Sequence, residues 1–211
     1  MKEIETFEDW NDLLIKKGKS EDDYLLIAQV YEEGLIRENN LEIKQNFEKA
    51  FEIYLEGSHY NYCKIRVADY LSEGIGCKKD INKSIQLYKE LIRENLSTAA
   101  FNLSTIYRDK GDYVKVVELL YQVFKIDSIF PIELAFHYLY GLGIKKDKLK
   151  AKEIFLSIIS QLDKYSIYEV EQANYQLALL SLEKNEIQNA RFLLSQNDNE
   201  ISNDLLNIIG R

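Results

Sequence analysis

The 211-residue chain contains one proline, two cysteines, one methionine and one tryptophan. Scarce proline removes the strongest helix breaker, so long helices are free to form. Two cysteines are too few for a disulfide scaffold. No segment approaches the ~18 consecutive apolar residues of a membrane span. The opening residues, Met1 to Trp10, are acidic and lack the apolar stretch of a secretory signal. A cytoplasmic, reduced protein is therefore expected, with no disulfide and no membrane association. Basic residues are also in deficit, with 27 Lys+Arg against 35 Asp+Glu and a net charge of −8. That balance disfavours nonspecific nucleic-acid binding, which needs a basic footprint.

Hydrophobic residues make up 46% of the chain and charged residues 29%, the composition of folded globular material. The charge is unevenly placed: residues 1–60 carry −8, residues 61–150 carry +4 and residues 151–211 carry −4. An acidic N-terminal end favours a basic partner.

A repeat is visible. Gly74-Ile75-Gly76-Cys77-Lys78-Lys79-Asp80-Ile81-Asn82-Lys83-Ser84 matches Gly141-Leu142-Gly143-Ile144-Lys145-Lys146-Asp147-Lys148-Leu149-Lys150-Ala151 at an offset of 67, with six of eleven positions identical. The offset reads as two units of ~34 residues, the length of a helical-hairpin repeat. Ala28, Tyr31 and Gly34 reproduce the spacing of Ala135, Tyr138 and Gly141. Fainter copies lie at 103–113 and 177–194, giving five units.

Each unit reads as helix, turn, helix. Gly141 and Gly143 permit a loop with positive φ. Asp80 and Asp147 stand where a second helix begins, and a carboxylate there caps free N–H groups. An apolar stripe follows: Ile85, Leu87, Tyr88, Leu91 and Ile92 in one copy, Ala151, Ile154, Phe155, Ile158 and Ile159 in the other. One hairpin cannot bury both faces, but stacked hairpins can. The expectation is an all-α, right-handed α/α solenoid of about five helix-turn-helix repeats forming a single domain over residues 1–211. Residues 1–20 cap its start, 21–195 form the repeats and 196–211 close it. Phe7, Trp10, Leu13 and Leu14 line the first capping helix; Ile201, Leu205, Leu206 and Ile209 line the last. Residues 35–45 lengthen the first loop, with Glu38, Asn39 and Asn40 at its tip. Pro131 fits the first turn of a helix.

These residues resemble the Sel-one-like repeat family, a relative of the tetratricopeptide repeat. Leu134-Ala135, Tyr138, Gly141-Leu142-Gly143-Ile144, Asp147, Lys150-Ala151 and Phe155 follow the family pattern almost throughout. Val67-Ala68, Leu71, Gly74-Ile75-Gly76-Cys77, Asp80, Lys83-Ser84 and Tyr88 follow it with Leu, Cys and Ser substituted. The third unit lacks Gly-x-Gly and is closer to a tetratricopeptide repeat. The resemblance covers roughly residues 24–195 and implies a protein-binding role. It also implies a narrower one. Small acidic bacterial proteins of this kind include immunity proteins that block a toxin. The abundance of Lys, Ile and Asn points to an AT-rich bacterial genome.

Little suggests chemistry. His59 and Cys63 are four apart, and Cys77 lies in the next loop, but paired C-x₂-C spacing is absent. The simpler reading packs Cys63 in a helix interface. The Gly-x-Gly segments lie between helices rather than after strands, so they are not phosphate loops. No catalytic residue, metal or cofactor is assigned.

In such solenoids the first helices line the concave face. With Ala28, Ala68, Ser104, Ala135 and Ala178 equivalent, the next row is Gln29, Asp69, Thr105, Phe136 and Leu179. The row after it is Val30, Tyr70, Ile106, His137 and Leu180. Five positions on come Glu33, Glu73, Asp109, Tyr140 and Glu183. Acidic residues interleaved with aromatics suit a basic protein partner. Glu33, Asp69, Tyr70, Glu73, Asp109, Phe136, His137 and Tyr140 are assigned to partner binding. The preferred function is an immunity protein that neutralises a cognate toxin. The alternative is an adaptor assembling signalling or envelope proteins.

Overall fold

The computed structural model describes residues 4–37 and 42–210; Glu38, Asn39 and Asn40 lie outside that range. Five helix pairs run in chain order: α2 (Glu21–Glu33) and α3 (Phe47–Glu56), α4 (Asn61–Glu73) and α5 (Ile81–Arg93), α6 (Ser97–Asp109) and α7 (Tyr113–Asp127), α8 (Ile132–Tyr140) and α9 (Lys148–Ile159), α10 (Ile167–Leu182) and α11 (Ile187–Leu194). They are preceded by α1 (Phe7–Ile15) and followed by α12 (Glu200–Ile209). The fold is thus of the expected all-α, helical-repeat class. The chain divides into two compact units, Met1–Asn102 and Leu103–Arg211, with the division inside α6.

Small residues explain why the hairpins close. Ala28, Ala68, Ser104, Ala135 and Ala178 are all 0% exposed, as are Ala50, Ser84, Ala151 and Ala190 on second helices. A larger side chain at these crossings would have to displace packed neighbours. Val116 takes the corresponding place on α7, in the pair whose sequence departs from the others.

Four of the five second helices share one starting device; α11, which begins after Glu186, has no side-chain cap. Asn46, Asp80, Asp112 and Asp147 each accept a backbone N–H three residues on, from Lys49, Lys83, Lys115 and Lys150. Each satisfies one orphan donor of a helix N-terminus. Pro131 sits one place before the first turn of α8, at its N-cap. There its fixed φ is as well suited as at the first turn.

Two glycines have a steric reason beyond their positive φ. A Cβ on Gly76 would lie 2.1 Å from the carbonyl oxygen of Phe47. A Cβ on Gly143 would lie 2.1 Å from that of Tyr113. In each unit the Gly-x-Gly loop therefore rests on the backbone at the start of an earlier second helix, α3 or α7.

In the first unit, Ala28, Ala50, Tyr54, Cys63, Val67, Tyr70 and Leu71 form one core cluster. Ile4, Trp10, Leu13, Ile27 and Val30 form another. On α1, Trp10 and Leu13 are buried but Phe7 is exposed. A departure from the all-helical expectation lies between α2 and α3. Leu35–Ile36 (β1) pairs antiparallel with Glu42–Ile43 (β2). Leu35 and Ile43 pack on the Trp10 cluster, which explains why this longer loop is ordered into strands.

In the second unit Leu120, Leu134, Ile154, Phe155, Ile158 and Leu194 are fully buried. Asn174 donates to Asn197 Oδ1 at 3.0 Å, and Asn197 donates to Ser202 Oγ at 3.0 Å. This buried chain fastens α12, whose Ile201 remains exposed.

Candidate protein-binding face

The three rows of the first helices separate cleanly by burial. Glu33, Glu73, Asp109, Tyr140 and Glu183 are all exposed. Val30, Tyr70, Ile106, His137 and Leu180 are all buried. The row between, with Asp69 and Phe136, is mostly half-buried. Helix geometry accounts for this: residues four apart share a face, while adjacent residues are turned by about 100°.

Tyr70 and His137 are accordingly corrected from surface to interior. Tyr70 is 2% exposed and lies stacked against Phe51, with its ring centroid 6.0 Å away. His137 holds Nδ1 2.7 Å from the Leu142 carbonyl oxygen. That oxygen can only accept, so Nδ1 carries the proton and donates. His137 thus braces the Gly-x-Gly loop.

Asp69 is the hub of a polar network within the first unit. Its Oδ1 accepts from the Tyr88 hydroxyl at 2.5 Å and from Asn102 Nδ2 at 3.0 Å. Its Oδ2 lies 3.3 Å from Arg66 Nη1. Arg66 reaches across to Glu32 Oε1 at 2.5 Å, which also accepts from the Tyr70 hydroxyl at 2.5 Å. The guanidinium lies 5.3 Å from the Tyr54 ring centroid and 5.6 Å from that of Tyr70. Burial works against the Arg66 charge, but Tyr54 and Glu32 more than offset it and hold the group protonated. Burial and the Glu32 carboxylate push the Tyr70 hydroxyl well above the ordinary phenol range, and burial with Asp69 does the same to Tyr88. These groups are fixed hydrogen-bond partners, not proton-transfer groups near neutral pH. The sequence pattern does not single out Arg66 or Glu32. Their pairing joins α4 to α2, a contact that repeat spacing alone does not reveal.

Glu33 and Glu73 have a different setting. Glu33 accepts a hydrogen bond from Gln29 Nε2 at 3.0 Å. Neither carboxylate joins an ion pair among the described residues. Each sits in the last turn of its helix, where α2 and α4 carry no basic residue. Carboxylates there face the negative end of the helix dipole, an unfavourable placement.

In the second unit, Asp109 and Tyr140 are exposed. Phe136 lies parallel to Tyr140, with ring centroids 6.3 Å apart, and edge-on to Phe155 at 5.5 Å. The pair joins the core to the surface and leaves Tyr140 58% exposed. Glu183, by contrast, pairs with Lys148 at 2.5 Å.

No group of three or more His, Cys, Asp or Glu residues that could hold a metal ion occurs among the described residues. Cys63 is fully buried in the first core cluster. Burial pushes its thiol up to about 11. No described helix is long and apolar enough to cross a membrane.

The Sel1 repeat pattern matches residues 24–58, 58–95 and 132–161. Three of the five helix pairs, α2–α3, α4–α5 and α8–α9, are thus similar to the Sel1 repeat, a type of unit that generally mediates protein–protein contact. No curated protein sequence matches the chain. Among solved structures, a Sel1 repeat protein from Oxalobacter formigenes is similar at a TM-score of 0.67 and 18% identity, covering 92% of this chain and 80% of that one. A protective antigen with an SLR fold, c5321 from uropathogenic Escherichia coli, is similar at a TM-score of 0.55 and 15% identity. That match covers 89% of this chain and 48% of the antigen. At these identities the likeness is one of fold.

Proposed function

We propose that this Sel1-repeat chain is a non-catalytic cytoplasmic protein that binds a basic partner through the exposed ends of its first helices. Glu33 and Glu73 supply charge in the first unit. Asp109 supplies charge in the second, and Tyr140, backed by Phe136, supplies an apolar anchor. Asp69 is a supporting residue whose carboxylate is engaged inside the fold. The finer reading is toxin neutralisation: the partner is a basic toxin domain, inhibited in the complex.

One observation carries the proposal. Glu33 and Glu73 recur at the same repeat position, at the disfavoured end of their helices, without a counter-cation among the described residues. Helix stability alone would favour Lys or Arg there. A partner's cations supply the missing compensation and steer its approach.

The test is capture of partners by tagged protein from the native cell at low and moderate salt. One stoichiometric basic protein that loses its toxicity in the complex is the expected result. Retention of several larger signalling or envelope proteins would replace neutralisation with an adaptor role.

A further inference from the structure

A cleft of about 390 Å³ opens in the first unit, away from the acidic helix ends. It is lined by Glu21, His59, Tyr60, Asn61, Tyr62 and Leu96. Glu21 opens α2 and Glu33 closes it, so the two lie ~18 Å apart along the helix.

The cleft is built around one carboxylate. Tyr60 stands at the N-cap of α4 and provides no side-chain cap. Glu21 takes over that task from a different helix, accepting the Tyr62 N–H on Oε1 at 2.7 Å. Its other oxygen has no hydrogen-bond partner among the described residues, and no Lys or Arg there pairs with it. Lys64, the one lysine of α4, pairs instead with Glu94 at 3.8 Å.

The walls are aromatic. His59 lies against Tyr60 with ring centroids 4.1 Å apart, and Tyr24 stands edge-on to His59 at 5.9 Å. Tyr62 is 57% exposed and lines the cleft mouth from the start of α4. Behind them Lys19 Nζ lies 6.0 Å from the Tyr24 ring centroid, so this cluster already faces one ammonium. That ammonium is held by the carbonyl oxygens of Leu14 and Lys16 at 2.8 and 3.2 Å and does not neutralise Glu21.

Two effects compete for the sign of the ligand. The N-terminus of α4 presents roughly half a positive charge, which favours an anion. Glu21 brings a full negative charge against it, so the balance favours a cation. Ring faces add attraction for a cation, most of all for a planar guanidinium that can stack on them.

We propose that this cleft is a cation subsite that takes a guanidinium group, as presented by an arginine side chain. Glu21 is its counter-charge, and His59, Tyr60 and Tyr62 are its walls. The site stands on its own geometry and does not depend on the acidic helix ends.

The test is a ¹⁵N–¹H NMR titration of the full chain with N-acetyl-arginine amide. The neutral citrulline analogue is the control. Saturable shifts at the Asn61 and Tyr62 amides with the arginine probe alone are expected. Glu21→Gln keeps an oxygen for the Tyr62 N–H and removes only the charge, and it should weaken binding ~10-fold or more. Tyr62→Ala, at an exposed position, should weaken it to a lesser extent. Glu33→Gln with Glu73→Gln should leave it unchanged, which separates this site from the acidic helix ends. Equal shifts with citrulline, no shifts, or undiminished binding by both Glu21→Gln and Tyr62→Ala would overturn the proposal.

Discussion

The Tyr88 hydroxyl donates to Asp69 Oδ1 at 2.5 Å, and Tyr88 itself is 2% exposed. This bond ties α5 to α4, and the same oxygen accepts from Asn102 on α6. Asp69 therefore ties α4 to α5 and to the part of α6 that lies in the first unit.

Removing that oxygen should be costly because a buried hydroxyl loses its partner. Asp69→Ala should destabilise the protein by ~2–3 kcal/mol, and Tyr88→Phe by ~1 kcal/mol. The double variant should cost less than the two together, since both remove one bond. Urea unfolding of the three variants measures the coupling. Strict additivity would show that the bond contributes nothing of its own.

The glycines divide into two classes. Gly76→Ala and Gly143→Ala add a Cβ that meets a backbone carbonyl at 2.1 Å, at φ of 60° and 69°. Gly18→Ala and Gly111→Ala face equally positive φ but nothing within 4 Å. The second pair should cost ~1–2 kcal/mol, the price of a left-handed backbone. The first pair should cost clearly more, because a loop must also move off the helix below it. Thermal unfolding that ranks all four alike would contradict the close packing of these loops.

Glu33→Lys and Glu73→Lys should each stabilise the free protein by ~0.3–1 kcal/mol, since they complement the helix ends. The same substitutions should weaken partner binding. Unfolding at low salt checks the first effect. A stability loss would mean that these carboxylates have structural partners.

The two thiols should resist alkylation. Burial raises Cys63 to about 11, and it raises Cys77 as well. Little of either is thiolate at pH 8, and the thiolate is the reactive form. Cys77, half-buried, should react first, and Cys63 only after unfolding. Rapid stoichiometric labelling of Cys63 in the folded protein would point to an activated nucleophile.

Much of the fold is legible in the sequence because its constraints are local. The small residues at Ala28, Ala68, Ser104, Ala135 and Ala178 mark helix crossings, and the caps at Asp80 and Asp147 mark helix starts. The β1–β2 pair is not legible. Two-residue strands carry no periodicity, and their order comes from packing on Trp10. The exposed row from Glu33 to Glu183 is readable as a row. The fate of Tyr70 and His137 is not, since a 100° turn about the helix separates a surface residue from a core one. The Arg66–Glu32 bond joins residues 34 apart on different helices, and neither alone differs from an ordinary surface charge.

Glu33 and Glu73, carboxylates with no counter-cation among the described residues, are the groups proposed to recruit a basic protein. The most direct test of that role is the salt dependence of affinity for the captured partner, by titration calorimetry, for the native chain and for Glu33→Lys with Glu73→Lys. Asp69 is left intact, because its loss would disturb the fold. Binding should be weaker and its salt dependence flatter in the variant, which keeps its fold and is no less stable than the native chain. Unchanged affinity and an unchanged slope in a folded variant would contradict that role.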